Sequence, residues 1–180
     1  MPKLIKRVEG RFQVVDDAWQ HLTLAADADP ASAPLPDGPV IVPLALWQAR
    51  RETLLARGQV AVWLDSHERA EAIAADLAKL PLVALNFPKF ADGRAYSTAT
   101  LLRGRYAYAG ELRAVGDVLR DQFFYMKRCG FDALQPRSER YTDAQLQAAL
   151  ASLQDFSEPY QGATDQAEPL FRRQARGVTQ

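Results

Sequence analysis

The sequence predicts an α/β domain of consecutive βα units, with a mainly parallel sheet that is either open or curved like part of a barrel. Short apolar segments alternate with amphipathic helical segments, which is the pattern of βαβ units. The apolar segments centre near residues 62, 84, 113 and 132, so they recur at the spacing of one strand plus one helix. The chain of 180 residues suits one domain but is too short for a full eight-fold barrel of roughly 250 residues.

Residues 1–39 are predicted to form an irregular N-terminal region. Residues 4–5 and 12–15 suit the two strands of a short hairpin, with Glu9 and Gly10 as its turn. Residues 25–39 are rich in Ala, Asp and Pro. We therefore expect a surface loop there, without persistent secondary structure.

The βα region is predicted to span residues 40–155, and its first half contains three apolar segments, at residues 40–46, 60–64 and 82–85. A helix over residues 47–57 is expected to end at Gly58. A second helix is expected after residue 64. Asp65 stands at its N-cap position with Glu68 at the spacing of a capping box, Ile73, Leu77 and Leu80 form one apolar stripe, and Pro81 ends it.

The same alternation continues to residue 155. Helices are predicted at residues 95–103, 118–129 and 144–153, and strands at residues 112–115 and 131–134. Asp117 and Thr142 stand where N-caps belong, and Gly130 follows the middle helix. Residues 156–180 are predicted to form a polar tail, with Tyr160, Leu170 and Phe171 as side chains that latch onto the body or onto a partner.

Composition argues against several classes of protein. Basic and acidic residues number 22 each, so the formal net charge is zero and a nucleic-acid partner is not expected. Cys129 is the only cysteine, which excludes an internal disulfide and a thiolate cluster and fits a cytoplasmic location. His21 and His67 lie far apart, so no metal site is expected. The sequence has no secretory signal and no apolar run near the roughly 20 residues that span a bilayer, so no membrane association is expected.

Residues 87–131 carry a local basic excess, with eight basic side chains against four acidic ones. Within this block the turn at Asp92 delivers Arg94 and Ser97 to the first turn of a helix, just after Lys89. Free backbone N–H groups and the helix dipole favour anions there. Lys89, Arg94 and Ser97 are thus candidate ligands of sulfate, sulfite, phosphate or a carboxylate, the alternative being a solvated, salt-bridged loop.

Functional residues of a parallel sheet are expected where its strands end. Those ends supply Asp65 and Asp117, which are candidate acid–base residues, together with residues 86–89 and Gln135. Capping of a helix is the alternative role for Asp117, and capping needs this residue type at this place. His67 is a candidate acid–base histidine, with a surface position on a helix as the alternative.

Arg103, Arg105, Tyr106 and Tyr108 form a third candidate group. Arginine and tyrosine are enriched at interface hot spots, so we expect this group and Tyr160 to bind a partner protein. Arginine planes beside tyrosine rings can instead hold a planar anion, and a plain surface is the remaining alternative. No G-x-G-x-x-G motif follows a strand, so no nicotinamide or flavin cofactor of the common kind is predicted.

The segments FPKFADGRAYS, LLRGRY, GELRAVGDVLRDQ and FFYMKRCGFDAL resemble a bacterial family of unknown molecular function. Its genes typically neighbour those of assimilatory sulfite reductase, and its members are often labelled oxidoreductases of sulfite reduction. The resemblance covers roughly residues 40–160. Ala95 and Ala107 stand where many relatives are expected to have glycine, and the family offers no accepted catalytic residues to carry over.

This resemblance implies a cytoplasmic role between sulfite and sulfide, with a large sirohaem and iron–sulfur reductase as a possible partner. An oxidoreductase needs an electron carrier, for which the residues show no motif. The leading hypothesis is therefore an accessory protein of assimilatory sulfate or sulfite reduction that binds the sulfite reductase or a small oxyanion. A small enzyme of the same pathway, acting on an anionic substrate, and a ligand sensor without chemistry are the alternatives.

Overall fold

The computed structural model describes residues 2–154 and 161–173. Its strands are β1 (Lys3–Val8), β2 (Arg11–Asp16), β3 (Gln20–His21), β4 (Val40–Pro43), β5 (Val60–Leu64), β6 (Leu82–Phe87), β7 (Glu111–Gly116) and β8 (Ala133–Pro136). Its α-helices are α1 (Leu44–Arg57), α2 (Arg94–Gly104), α3 (Phe123–Arg128), α4 (Asp143–Ala149) and α5 (Leu170–Arg173). Its 3₁₀ helices are Ala70–Lys79, Arg120–Gln122, Ser138–Arg140 and Leu150–Gln154.

The strands of the described residues form one sheet in the order β2-β1-β8-β7-β6-β5-β4-β3. Strands β3 to β8 run parallel to one another, whereas β1 is antiparallel to both β2 and β8. The sheet curls into a half-barrel. The predicted α/β class with a mainly parallel sheet is confirmed, and the curvature decides between the two sheet shapes in favour of the partial barrel.

The N-terminal hairpin forms as predicted but belongs to the main sheet. Glu9 and Gly10 have φ angles of 50° and 82°, so both turn residues adopt the left-handed conformation that a tight two-residue hairpin requires. Ile5 of β1 pairs with Leu134 of β8, which joins the hairpin to the parallel strands. Residues 22–39 contain no helix or strand, as predicted for the loop over residues 25–39.

The predicted amphipathic helix after β5 is a 3₁₀ helix, Ala70–Lys79. Its three-residue period brings Ala70, Ile73 and Asp76 to the same buried side. The carboxylate of Asp76 accepts hydrogen bonds from Trp47 Nε1 at 3.2 Å and from Arg51 Nε at 2.7 Å. The three-residue period therefore places the apolar side chain of Ile73 and the buried polar contact of Asp76 on the same side of the helix. The apolar stripe in the sequence did not predict the contact of Asp76.

The two faces of the sheet are covered differently. One face packs against the helices, and its core includes Val62, Leu85 and Leu134. We call the other face the helix-free face, because its buried apolar residues pack against Trp19 and Trp63 rather than against helical side chains. It buries five strand residues, which are Ile41, Ala61, Leu82, Ala84 and Val115. Small alanines on two adjacent strands leave room for these rings.

A charged network crosses the helix-free face. Arg113 is only 1% exposed and donates hydrogen bonds to Glu111 Oε1 (2.8 Å), Asp17 Oδ2 (2.8 Å) and Gln135 Oε1 (3.2 Å). Lys6 Nζ lies 2.6 Å from the second carboxylate oxygen of Glu111. Arg113 and Glu111 thus share one face of their strand, and two acids and two bases balance within the network.

None of the helices in the described ranges is both long enough and apolar enough to cross a membrane.

Candidate functional site

The structure places both candidate acid–base residues where parallel strands end, but their carboxylates make different contacts. Asp65 follows β5, and its Oδ1 accepts hydrogen bonds from the Ser66 backbone N–H at 2.7 Å and from Asn86 Nδ2 at 3.0 Å. Its Oδ2 lies 3.5 Å from His67 Nδ1. The Asp65 N–H donates to Glu68 Oε2 at 2.7 Å. The predicted pairing with Glu68 therefore forms, but in the turn before the 3₁₀ helix.

Asp117 does not cap a helix, so the capping interpretation is wrong. The 3₁₀ helix Arg120–Gln122 begins three residues later, after Leu119. The Asp117 carboxylate instead accepts a hydrogen bond from the Phe90 backbone N–H at 2.9 Å and forms an ion pair with Arg140 at 3.0 Å. Asp117 directly follows Gly116, the last residue of β7. Its hydrogen bond with Phe90 therefore links the end of β7 to the loop after β6.

Gly116 brings the ends of β6 and β7 unusually close. Its φ is +96°, and a Cβ atom there would lie 2.5 Å from both Asn86 Oδ1 and the Phe87 carbonyl oxygen. A residue with a side chain would meet strain and a clash with backbone at once. Glycine therefore allows the Asn86 amide to remain beside the end of β7.

The three candidate anion ligands do not form one cluster. Arg94 and Ser97 line a surface cavity of about 420 Å³ together with Ser66 and His67, which we call the Arg94 cavity. Lys89 is exposed and does not line it. Of the three predicted anion ligands, Arg94 and Ser97 thus lie at one cavity, and Lys89 lies outside it.

Most of the Arg94 charge is already compensated inside the protein. Its guanidinium donates to Asp92 from Nε at 2.9 Å and from Nη2 at 2.6 Å, and Nη2 also donates to Ser66 Oγ at 2.8 Å. The hydrogen bonds from Arg94 hold the pKa of Asp92 well below its usual range. Arg94 Nη1 and the Ser97 hydroxyl have no hydrogen-bond partner among the described residues and remain available to a ligand.

A second cavity of about 420 Å³ lies on the helix-free face, where β5 to β8 end. We call it the Trp63 cavity, and the residues that line it include Lys3, His21, Trp63, Asn86, Gln135 and Arg137. Asn86 and Gln135 are among the strand-end residues that the sequence predicts, whereas no signal in the sequence points to the other four. Their positions are far apart in the chain, and no spacing or motif connects them.

His21 and Trp63 form an aromatic wall of the Trp63 cavity. Their ring centroids are 5.2 Å apart with an interplanar angle of 31°. The indole N–H of Trp63 donates to the Leu22 carbonyl oxygen at 2.9 Å, which fixes the plane of the ring. The His21 residue keeps an exposed edge, yet desolvation of its ring, and then the nearby Arg113 charge, lower its pKa to about 4. The imidazole is therefore neutral at pH 7.

The predicted partner-binding group lies at the opposite edge, where the strands begin, and two of its members are internal. Arg103 donates to the carbonyl oxygens of Gly130 (3.0 Å) and Gly110 (2.9 Å) and forms an ion pair with Asp132. Tyr108 is 5% exposed, and its hydroxyl donates to the Leu80 carbonyl oxygen at 3.0 Å. Neither side chain presents a docking surface, because both are used to close this edge.

Arg105 and Tyr106 remain at the surface of that edge. The Arg105 guanidinium lies 5.7 Å from the centre of the Tyr106 ring, as a cation–π pair. Tyr160, the fifth predicted partner residue, lies outside the described residues.

The described residues contain no group of three or more His, Cys, Asp or Glu side chains arranged to hold a metal ion. Cys129 is buried, and burial raises the pKa of its thiol, so the thiol is protonated at neutral pH.

A family of bacterial proteins of unknown function, DUF934, has a model that matches residues 61–171, more than half of the chain. The chain belongs to this family. The match includes the Arg94 cavity, Trp63 and Arg137, whereas Lys3 and His21 precede it. Searches of curated proteins and of solved structures find no match.

Proposed function

We propose that this protein is an accessory protein of assimilatory sulfate or sulfite reduction that binds a small oxyanion and the sulfite reductase. The pathway follows from the resemblance of the segments between residues 87 and 134, described above. One structural observation supports the ligand: Arg94 is anchored at a cavity while its Nη1 and the Ser97 hydroxyl keep free hydrogen-bonding capacity. Sulfite and sulfate are small oxyanions that suit two such donors.

Anchoring by Asp92 serves binding in two ways. It holds the guanidinium in one orientation, so less side-chain freedom is lost when a ligand binds. It also neutralises the cation in the empty state, which favours a weakly charged, exchangeable site over a tight anion trap. Because Ser66 Oγ accepts from the same guanidinium at 2.8 Å, the arrangement joins the end of β5 to the start of α2.

The partner surface we propose is the exposed Arg105 with the half-buried ring of Tyr106 beside it. It lies at the edge where the parallel strands begin, whereas the Arg94 cavity lies where they end. Helix α2 connects the two places, with Arg94 at its start and Arg105 just after its last residue. A docked reductase would therefore leave the oxyanion cavity open.

Growth and co-purification test this proposal together. A strain that lacks the gene should grow poorly on sulfate or sulfite and normally on cysteine. The Arg105→Glu variant should lose co-purification of the sulfite reductase, whereas Arg11→Glu, which reverses an exposed charge on β2, should keep it. The Arg94→Ala variant should keep the complex but lose the rise in melting temperature that sulfite produces in the wild type. Unimpaired growth of the deletion strain on sulfate would refute the pathway.

A small enzyme of the same pathway is the second candidate, and one contact favours it. The Asp65 carboxylate lies 3.5 Å from the His67 imidazole, and His67 borders the Arg94 cavity. An acid–base pair would then stand beside a bound anion. Asp117 is the weaker candidate because Phe90 and Arg140 already occupy its carboxylate. If Asp65→Asn abolished growth on sulfite while the fold and the complex survived, the enzyme would replace the accessory protein as the proposal.

A further inference from the structure

The Trp63 cavity has the position of a ligand site, although no sequence motif pointed to it. It lies at the carboxyl ends of β5, β6, β7 and β8, where parallel sheets bind ligands because the following loops diverge there. Its volume of about 420 Å³ falls within the range of small-molecule pockets. It opens on the helix-free face, and among the described helices the short 3₁₀ helix Ser138–Arg140 contributes Glu139 to its lining.

The wall and the floor of this cavity have different chemistry. His21 and Trp63 offer aromatic surface, and the plane of Trp63 is fixed by its hydrogen bond to Leu22. Asn86 and Gln135 bring side-chain amides to the floor. Asn86 donates to Asp65 Oδ1 at 3.0 Å, and Gln135 donates to Asp17 Oδ2 at 3.2 Å. Each amide therefore keeps one N–H for a ligand, and both are held in place.

The mouth of the cavity carries cations. Arg137 is exposed and forms no ion pair with any described residue, whereas Lys3 Nζ lies 2.8 Å from Asp143. Glu139 also lines the mouth and partly offsets them. Beneath the floor, the charge of Arg113 is balanced by Asp17 and Glu111. Arg137 is therefore the group most available to an anion.

We propose that the Trp63 cavity binds a ligand of mononucleotide size. Its planar heteroaromatic ring lies against His21 and Trp63, its polar edge bonds to Asn86 and Gln135, and its anionic group contacts Arg137. Flat aromatic surface beside fixed amides suits a heterocycle, because base-like rings combine a stacking face with an edge of donors and acceptors. This inference does not depend on the pathway, on sulfite or on the Arg94 cavity.

The test is binding to the purified full-length chain, measured by equilibrium dialysis and by quenching of tryptophan fluorescence. Adenosine monophosphate and flavin mononucleotide supply a ring with an anionic group. Adenosine and riboflavin supply the ring alone, and inorganic phosphate supplies the anion alone. At least one of the two nucleotides should bind, and about tenfold more tightly than its uncharged nucleoside or than phosphate. Comparison of the two nucleotides identifies the kind of ring.

Matched variants assign the binding to this cavity. Arg137→Ala should weaken nucleotide binding about tenfold, whereas Arg105→Ala, the same change at the opposite edge, should leave it unchanged. His21→Ala and Trp63→Leu should each weaken it about tenfold, and His21→Ala removes an exposed side chain, so it keeps the test informative if Trp63→Leu does not fold. Arg94→Ala should have no effect, which separates this result from the proposed oxyanion site.

Three outcomes would overturn the inference. They are that neither nucleotide binds, that phosphate binds the Arg94→Ala variant as tightly as the nucleotides do, or that nucleotide binding survives both Arg137→Ala and His21→Ala unchanged.

Discussion

The two edges of the sheet use the same kind of side chain in opposite ways. Where the strands begin, Arg103 bonds to three backbone carbonyls and to Asp132, and its side chain is 12% exposed. Where they end, Arg94 bonds to Asp92 and Ser66, and its side chain is 60% exposed. Both arginines lie on α2. The comparison shows that the number of internal partners, rather than residue type, separates a structural arginine from one available to a ligand.

We expect the largest loss of stability from a substitution at the edge where the strands begin, which Arg103 and Tyr108 close. Arg103→Ala removes one of the two described arginine partners of Asp132, whose side chain is 24% exposed, and the donors to the carbonyl oxygens of Gly110 and Gly130. We expect the free energy of unfolding to fall by about 2 kcal/mol, because the carbonyl oxygens of Gly110 and Gly130 lose a charged donor while Asp132 keeps Arg7. Urea denaturation followed by circular dichroism measures this change.

Arg105→Ala is the control for that experiment, because it removes an exposed arginine from the same edge. Its effect should stay within about 0.5 kcal/mol. If both variants lost equal stability, the contrast between an internal and a surface arginine would not hold.

The two alanines that stand where relatives are expected to have glycine test the ends of α2. Ala95 is buried near the start of the helix, so Ala95→Gly should destabilise the protein by about 1 kcal/mol. Ala107 has a φ of +49° in the turn after the helix, a conformation that costs alanine energy. Ala107→Gly should therefore leave stability unchanged or raise it by about 0.5 kcal/mol, because the relieved strain exceeds or offsets the greater freedom of the unfolded chain.

Thermal unfolding of the two variants under one buffer condition measures this pair of effects. Destabilisation by Ala107→Gly comparable to that of Ala95→Gly would contradict the left-handed conformation of Ala107.

The smallest expected effect is the pH dependence of stability due to His21, which lines the Trp63 cavity. The native pKa of His21, about 4, lies below its usual value near 6.5 in an unfolded chain. Above pH 6.5 the ring is neutral in both states, so it makes no difference to stability. Between pH 6.5 and 4 the unfolded chain takes up the proton first, and the free energy of unfolding falls as the pH falls. Below pH 4 this contribution no longer changes.

Comparison of the wild type with His21→Gln isolates the pH-dependent part of this contribution, since the ring contact with Trp63 that the variant also loses does not itself titrate. The wild type should lose more stability than the variant between pH 6.5 and pH 4. A proton NMR titration of His21 with a midpoint near 6.5 would contradict the desolvated environment of the ring.

Elements whose signals are local agreed with the sequence prediction. Glu9 and Gly10 formed the predicted turn, and Thr142 caps α4 by accepting the Gln145 N–H at 3.3 Å. Gly58 follows α1 as expected. Each of these features involves only residues close together in the chain, so a short stretch of sequence is enough to predict it.

Functional assignments that need distant partners agreed less well. Asp117 satisfies every local rule for a cap, yet its carboxylate binds Phe90 and Arg140 from other segments. Arg103 was predicted to bind a partner protein, yet its side chain contacts Gly130 and Asp132 inside the protein. These two residues come from the far end of the next βα unit, so local spacing does not connect them with Arg103. Composition and spacing contain no record of such contacts.

The sequence alone determined the order of the strands other than β3 and of the main helices, the parallel direction of most of the sheet and the edge at which its strands end. Each of these depends on the period and length of apolar segments. Only the tertiary structure decided that the sheet curls, that β1 joins it and that His21, Trp63 and Arg137 meet around one cavity. The physical reason is that hydrophobic periodicity acts within a segment. Curvature and cavities arise from how side chains of several segments fill the space between them.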